Sequence, residues 1–255
     1  MQRIKSLLIW CTLAVLVLAW LPLLAVVRLF ERDKSRYRTG YLFRRLGAAM
    51  SKVNPFWKVT IQGAEDIDDR EPYVMVSNHQ SNADIPVISN LPWEMKWIAK
   101  RELFQIPIVG WMMYLAGDIS VDRGTSKAKI STFRKSIFYL RNRVSVIFFP
   151  EGTRSRDGRV NRFSNGAFEL AIREQIPVLP MVIDGTEGCL PKNSWVFKSN
   201  VHAQLKVLEP IPTTGLTSED VEDLANVTRE KIIQELMDIR QCTRSEADGM
   251  SPQKY

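Results

Sequence analysis

Two histidines and three cysteines in 255 residues leave little from which to build a metal centre or a disulfide framework. Cys11, Cys189 and Cys242 are odd in number and fall in no ligand spacing. They read as three free thiols in a reducing compartment, with no metal site. Internal repeats and low-complexity tracts are missing, and 45% hydrophobic with 25% charged residues excludes disordered and fibrous classes. Acidic residues are in deficit, 28 against 35 Lys and Arg. The resulting charge of +7 favours an anionic partner: nucleic acid, a phospholipid surface or a phosphorylated small molecule. The length suits one substantial domain with an appendage.

Charge is absent altogether from residues 6–27, "SLLIWCTLAVLVLAWLPLLAVV". As a helix this run would reach about 33 Å, against a hydrocarbon core of roughly 30 Å. Pro22 would bend it without forbidding it. Arg3 and Lys5 precede the run and Arg28, Arg32, Lys34, Arg36 and Arg38 follow it, so the positive-inside bias predicts a single N-terminal span with the bulk of the chain on the cytoplasmic face. The run exceeds the apolar core of a cleaved signal, and its basic flank resembles a stop-transfer signal. Next, "YLFRRLGAAMSKVNPFW" sets Leu42, Phe43, Leu46 and Met50 at near-helical spacing among Arg44, Arg45 and Lys52, as expected of a helix lying on anionic headgroups. A helix packed on the domain would share that pattern. Residues 1–54 thus form a membrane helix and an amphipathic basic segment.

From residue 55 the texture changes. "WKVTI", "YVMVS", "MKWIA", "DISVD", "VSVIFF" and "VLPMVI" read as strands from their β-branched and aromatic content, and "AQLKVLEP" as a seventh. Ile130, Phe133, Ile137 and Leu140 mark an amphipathic helix in "SKAKISTFRKSIFYLRNR", and further helices fit "NGAFELAIREQ" and residues 218–240. The alternation predicts an α/β domain over 55–240, with a mixed, largely buried β-sheet flanked by helices and "VSVIFF" near its centre. Residues 241–255 read as a polar C-terminal tail, frayed through "RSEADGMSPQKY".

The residues able to do chemistry stand just past strands. In "SNHQSNADIP" His79 occupies a strand-to-helix turn and Asp84 lies about one helical turn beyond. An aspartate there is commonly only a cap. Imidazole suits proton abstraction near neutral pH, and a carboxylate on its other nitrogen would fix the tautomer. His202 has no such neighbour and reads as structural. In "IFFPEGTRSRDGR" the strand stops at Pro150. Gly152 then permits close backbone approach, Thr153 can donate a hydroxyl proton and Arg154 can grip two phosphate oxygens. Lys100 and Arg123, with Asp122, follow other strands, where one mouth could gather them around a phosphate or solvent could simply cover them.

These pieces resemble the lysophospholipid and glycerolphosphate acyltransferases of the bacterial 1-acyl-sn-glycerol-3-phosphate acyltransferase type. Four blocks fall in the family's order: N-H-x-x-x-x-D at Asn78, His79 and Asp84; "DISVDR" ending at Arg123; "FPEGTRS" from Phe149 to Ser155; and "IPVLPM" with Pro177 and Pro180. The resemblance implies a glycerolphosphate acyltransferase-like fold in which His79 takes the proton of an acceptor hydroxyl while Asp84 orients it. It implies that Arg154, with Lys100 and Arg123, holds the acceptor's phosphate, and that Glu151, Gly152 and Thr153 shape the site. The implied reaction moves an acyl group from acyl-CoA or acyl carrier protein, a co-substrate, to the sn-2 hydroxyl of lysophosphatidic acid. It needs no cofactor and makes phosphatidic acid at the inner membrane of a bacterium.

Two other readings are compatible with parts of this pattern. Activation of water in place of an alcohol would make the chain a thioester hydrolase, and another lysophospholipid could serve as acceptor. A membrane-tethered nucleic-acid binder has only the +7 charge behind it. No recognition signature for RNA or DNA accompanies that charge, so the expected partners are the phospholipid membrane, the lysophospholipid and the acyl carrier, with no nucleic acid.

Overall fold

The computed structural model describes residues 1–69, 71–122, 126–189 and 194–250. Seven strands form one sheet: β1 (Trp57–Gln62), β2 (Val74–Ser77), β3 (Met95–Lys100), β4 (Ile119–Val121), β5 (Ser145–Phe148), β6 (Val178–Asp184) and β7 (Val201–Val207). Their order across the sheet is β1-β7-β6-β2-β5-β3-β4, with every neighbouring pair parallel except β6 and β7. All seven expected strands are present, with "DISVD" shortened to its three central residues.

The period-two alternation of strands decides what each face buries. Val74 and Val76 of β2, Val146 of β5 and Val178 and Val182 of β6 enter one apolar cluster. Met75, Ile147, Leu179, Met181 and Ile183 enter the other. The first face is covered by α5 (Ser126–Arg141), α6 (Gly166–Glu174) and α7 (Val221–Arg240), which contributes Ile232, Ile233 and Leu236. The second is covered by α3 (Asp84–Ile88) with Val87 and Ile88, and by Leu91 and Trp93 beyond it. Burial on both sides explains why β2 and β5 are continuous apolar runs. Five parallel strands also bring the C-terminal ends of β2 to β6 to one edge of the sheet, the edge where α/β folds place ligands.

α1 (Gln2–Phe30) is long and apolar enough to cross a membrane. It is nonetheless fastened to the domain along its length. Gln2 Nε2 donates to Phe197 O (2.9 Å), Phe197 N to the buried Ser6 Oγ (3.1 Å) and Trp10 Nε1 to Trp195 O (2.8 Å). Further along, Leu24 packs with Leu46 and Met112. Leu8, Val15, Leu18, Leu23, Val26 and Leu29 remain exposed on its outer side. Glu31 ends α1 and caps α2 (Tyr37–Lys52), accepting from Arg38 N (2.6 Å), Thr39 N (3.1 Å) and the Thr39 hydroxyl.

Two expectations need correction. α2 turns Leu42, Phe43, Leu46 and Met50 toward α1 and α4 (Val109–Ala116), not toward headgroups. Its Arg44 points inward, buried against Asp118 with both carboxylate oxygens at 2.8 Å. The tail from 244 is not frayed through Met250. A short helix α8 (Arg244–Ala247) seats Ala247 in the core, and Asp248 is buried and bonded to Arg229. The sequence masked this docking because its contacts are made by charges with partners elsewhere in the chain.

Candidate active site

Asn78 explains why β2 stops where it does. Its side chain donates Nδ2–H to Ile183 O (2.9 Å) and accepts Ile183 N–H on Oδ1 (2.8 Å), so it continues the ladder to β6 in place of the backbone. The main chain is then released into the turn that carries His79. Asp84, fully buried at the start of α3, closes that turn. Its Oδ2 accepts from Gln80 N (2.8 Å), Ser81 N (3.1 Å) and His79 Nδ1 (2.6 Å), and its Oδ1 from the Thr186 hydroxyl. The backbone N–H groups of Gln80 and Ser81 can only donate, an environment that fits a carboxylate. Nδ1 of His79 therefore carries the proton, which leaves Nε2 as the acceptor. The ring stacks on Phe149 (4.0 Å between centroids, 16° between planes) and keeps 17% of its surface exposed.

The loop after β5 is tied to the same residue from both sides. Glu151 Oε1 accepts from His79 N (2.8 Å), and Ser155 N donates to His79 O (2.8 Å). Glu151 Oε2 takes Asn161 N (2.9 Å) and Asn161 Nδ2 (2.8 Å), so both of its oxygens face protein donors. Burial pushes the Glu151 carboxyl above its ordinary range, against the pull of those N–H groups. Gly152 has φ +73°, a left-handed conformation that favours glycine. Pro150 O accepts Ser164 N (3.0 Å) and Ser164 Oγ (2.9 Å), closing the base of the loop.

His79, Lys100, Glu151, Gly152, Thr153 and Arg154 line one cleft of about 2160 Å³. Thr153, Arg154 and Lys100 are exposed, and Arg154 has no hydrogen-bond or ion-pair partner among the described residues. Arg123 lies outside the described residues. Neighbouring Asp122 pairs with Arg101 at 3.5 Å. Phe43, Trp97, Leu103, Val109, Met113 and Phe133 give the cleft an apolar wall. Pro177 stands just before β6 and Pro180 within it; Pro177 O accepts Val74 N (3.1 Å) and Pro180 O accepts Leu208 N (2.9 Å). His202 contacts Thr60 Oγ1 at 2.8 Å and lies at the margin of the same cleft. No group of three His, Cys, Asp or Glu among the described residues could hold a metal ion.

One contributor went unread in the sequence, Thr186, which bonds Asp84; Phe149, named in the third block, was given no role as the platform under the imidazole. Thr186 stands just past the end of β6, so attention to strand ends on the ligand edge would have flagged it. Beside the site, Cys189 is buried, and burial together with the Asp84 charge pushes its thiol up to about 12, so it is no nucleophile.

A protein-family model described as Acyltransferase matches residues 58–184. The chloroplastic 1-acyl-sn-glycerol-3-phosphate acyltransferase BAT2 of Brassica napus is 34% identical over 186 residues, 72% of this chain and 53% of that protein. The Homo sapiens 1-acyl-sn-glycerol-3-phosphate acyltransferase alpha is 38% identical over 178 residues, 69% of this chain and 62% of that protein. The chain thus spans less than two thirds of these curated relatives. The crystal structure of the 1-acyl-sn-glycerophosphate (LPA) acyltransferase PlsC from Thermotoga maritima matches with a TM-score of 0.76 at 28% identity, covering 95% of this chain and 99% of that one.

Proposed function

Because the chain belongs to the acyltransferase family, we propose that it transfers an acyl group from an acyl thioester to the sn-2 hydroxyl of lysophosphatidic acid, giving phosphatidic acid in phospholipid biosynthesis. The observation that carries this reading is the His79 to Asp84 contact of 2.6 Å, with His79 lining a cleft that also holds the Arg154 guanidinium, unpaired among the described residues. Nε2 takes the hydroxyl proton as the oxygen bonds to the thioester carbonyl carbon, and Asp84 steadies the imidazolium that forms. The tetrahedral intermediate then expels the thiolate, which leaves as thiol with the proton from His79. No covalent acyl-enzyme is required, since a thioester is already electrophilic and thiolate is a good leaving group. The acyl chain lies along the wall that includes Trp97, Leu103 and Met113, and no cofactor beyond acyl-CoA or acyl carrier protein takes part.

Arg154 holds the acceptor phosphate, helped by Lys100 and, in this reading, Arg123. Arg154 is exposed, so water already screens it and its loss costs less than that of a buried partner. Arg154→Ala should raise KM for lysophosphatidic acid about tenfold, or about 1.4 kcal/mol, with kcat changed less. An unaltered KM would remove Arg154 from acceptor binding.

A lysolipid leaves the bilayer slowly, at about 0.8 kcal/mol per buried methylene, so the site must come to the lipid. The attachments of α1 at both ends favour a helix half-sunk in the cytoplasmic-side interface, its bare stripe in lipid, over one crossing perpendicular to the domain. A single cysteine introduced by Arg3→Cys, in a chain otherwise free of cysteine, separates these arrangements in sealed vesicles. A membrane-impermeant maleimide should reach it from the side bearing the catalytic domain, and labelling from the opposite side would establish a span.

The decisive experiment for the reaction is a panel of lysolipid acceptors against acyl-CoA and acyl carrier protein donors, with products read by mass spectrometry. Thiol release that requires lysophosphatidic acid supports the proposal. Release without any acceptor would make the chain a hydrolase, and preference for an acceptor without a terminal phosphate would overturn the assigned substrate.

A further inference from the structure

α7 and α8 lie beyond the residues matched by the acyltransferase model, yet two continuous threads of hydrogen bonds run from them to the dyad. The first starts at Asp248. It bonds Arg229, whose Nε donates to Asn161 O (2.9 Å) and whose Nη2 donates to Val160 O (2.7 Å). Asn161 in turn gives two N–H groups to Glu151, and Glu151 receives His79 N–H. Residues 247–249 clamp the same loop through the backbone, Val160 N to Ala247 O (2.8 Å) and Gly249 N to Val160 O (3.0 Å). Ala247 and Val160 are fully buried, and Arg229 and Asp248 nearly so.

The second thread starts at the end of α7. Arg240 Nε and Nη2 donate to Asp184 Oδ1 at 2.8 and 2.6 Å, and the same oxygen accepts Gln80 Nε2 at 3.2 Å. The backbone N–H of Gln80 is one of the donors to Asp84. Gly158 lies against Arg240 as well: a Cβ there would meet Glu187 Oε2 at 2.7 Å and Arg240 Nη2 at 3.0 Å.

We infer that the C-terminal segment Val221–Met250 is a positioning element for the dyad, with Arg229, held by Asp248, and Arg240 as its two positioning residues. Neither touches the reacting atoms. They fix the backbone of His79 and Gln80, and through it the line between Nδ1 and the Asp84 carboxylate. The inference rests on His79 and Asp84 being the proposed dyad, and its structural readout does not depend on turnover.

The test uses Asp248→Asn and Arg240→Gln, alone and combined, in the full chain. Asp248→Asn keeps the size of the side chain and leaves Arg229 in place, so it is gentler on folding than removing the arginine. Each single variant should lower kcat about tenfold with KM for both substrates unchanged, as a small misplacement of reacting groups does, and the pair by more than either. The Nδ1 proton of a short imidazole–carboxylate bond gives a far-downfield NMR signal, simple to assign in a chain with two histidines. It should move upfield or broaden in the variants, whereas mere loss of folded protein would reduce its intensity without moving it. Full kcat in the double variant, or reduced kcat with that resonance unmoved, would overturn the positioning role. If instead His79→Ala kept full activity while the resonance still moved in the C-terminal variants, the mechanism would fail and the positioning geometry would stand.

Discussion

Replacing His79 with alanine is expected to lower kcat for acyl transfer about a thousandfold, within the range that general-base catalysis supplies. Four features concentrate the effect on one atom. Nδ1 is committed to Asp84, the ring is stacked on Phe149, and the backbone N–H and carbonyl of residue 79 are held by Glu151 and Ser155, so only Nε2 is available to an acceptor. The backbone clamps do not depend on the side chain, so the variant should fold, bind vesicles and keep KM for lysophosphatidic acid close to that of the parent. Steady-state kinetics beside circular dichroism and vesicle co-sedimentation make the comparison. A variant that turns over within tenfold of the parent would show that another group takes the proton.

The second large effect lies away from the cleft. Lys96 has no exposed surface. Its Nζ donates to Glu94 Oε1 (2.7 Å), Ala116 O (2.7 Å) and Arg36 O (3.1 Å), and lies over the Tyr139 ring. Glu94 is as deeply buried. Burial pushes its carboxyl up and Lys96 and Arg44 pull it down, but its other oxygen, 3.9 Å from Arg44 Nε, lacks a hydrogen-bond partner among the described residues. Lys96→Met removes the main counter-charge and takes a donor from the Ala116 carbonyl, so destabilisation of about 3–5 kcal/mol is expected. The double variant Glu94→Leu, Lys96→Met should regain most of that loss, because removing both charges leaves no unpaired ion behind. Denaturant midpoints in detergent read both numbers. A single variant within about 1 kcal/mol of the parent would mean that water reaches the pair.

The same cluster shows where the sequence stopped being informative. β3 is legible in "MKWIA" because Met95, Trp97 and Ile98 favour a strand, but a lysine in such a run reads as an edge or solvent contact. Besides Glu94, its partners are Arg36, just before α2, and Ala116, the last residue of α4, which only the folded arrangement brings to it. Arg44 was hidden in the same way, as one more cation in an amphipathic helix. Asp248 was hidden in a polar tail, since a charge paired across a distance looks like a solvated one. The His79 and Asp84 turn was legible because its interactions are local, five residues apart, and because the apolar strand before it marks where the turn begins. The place of α1 was not legible, since length and hydropathy say that a helix prefers lipid and nothing of the angle at which a domain holds it.

The clamping of residue 79 by the loop that carries Arg154 has a geometric consequence. The backbones that carry His79 and Arg154 belong to a single tied unit, which limits how far the two side chains can move apart. In the proposed reading, with the phosphate held at Arg154, that spacing would select which glycerol oxygen is presented to the imidazole. An acceptor with one extra methylene between phosphate and hydroxyl would overshoot the base, whatever fatty chain it carries.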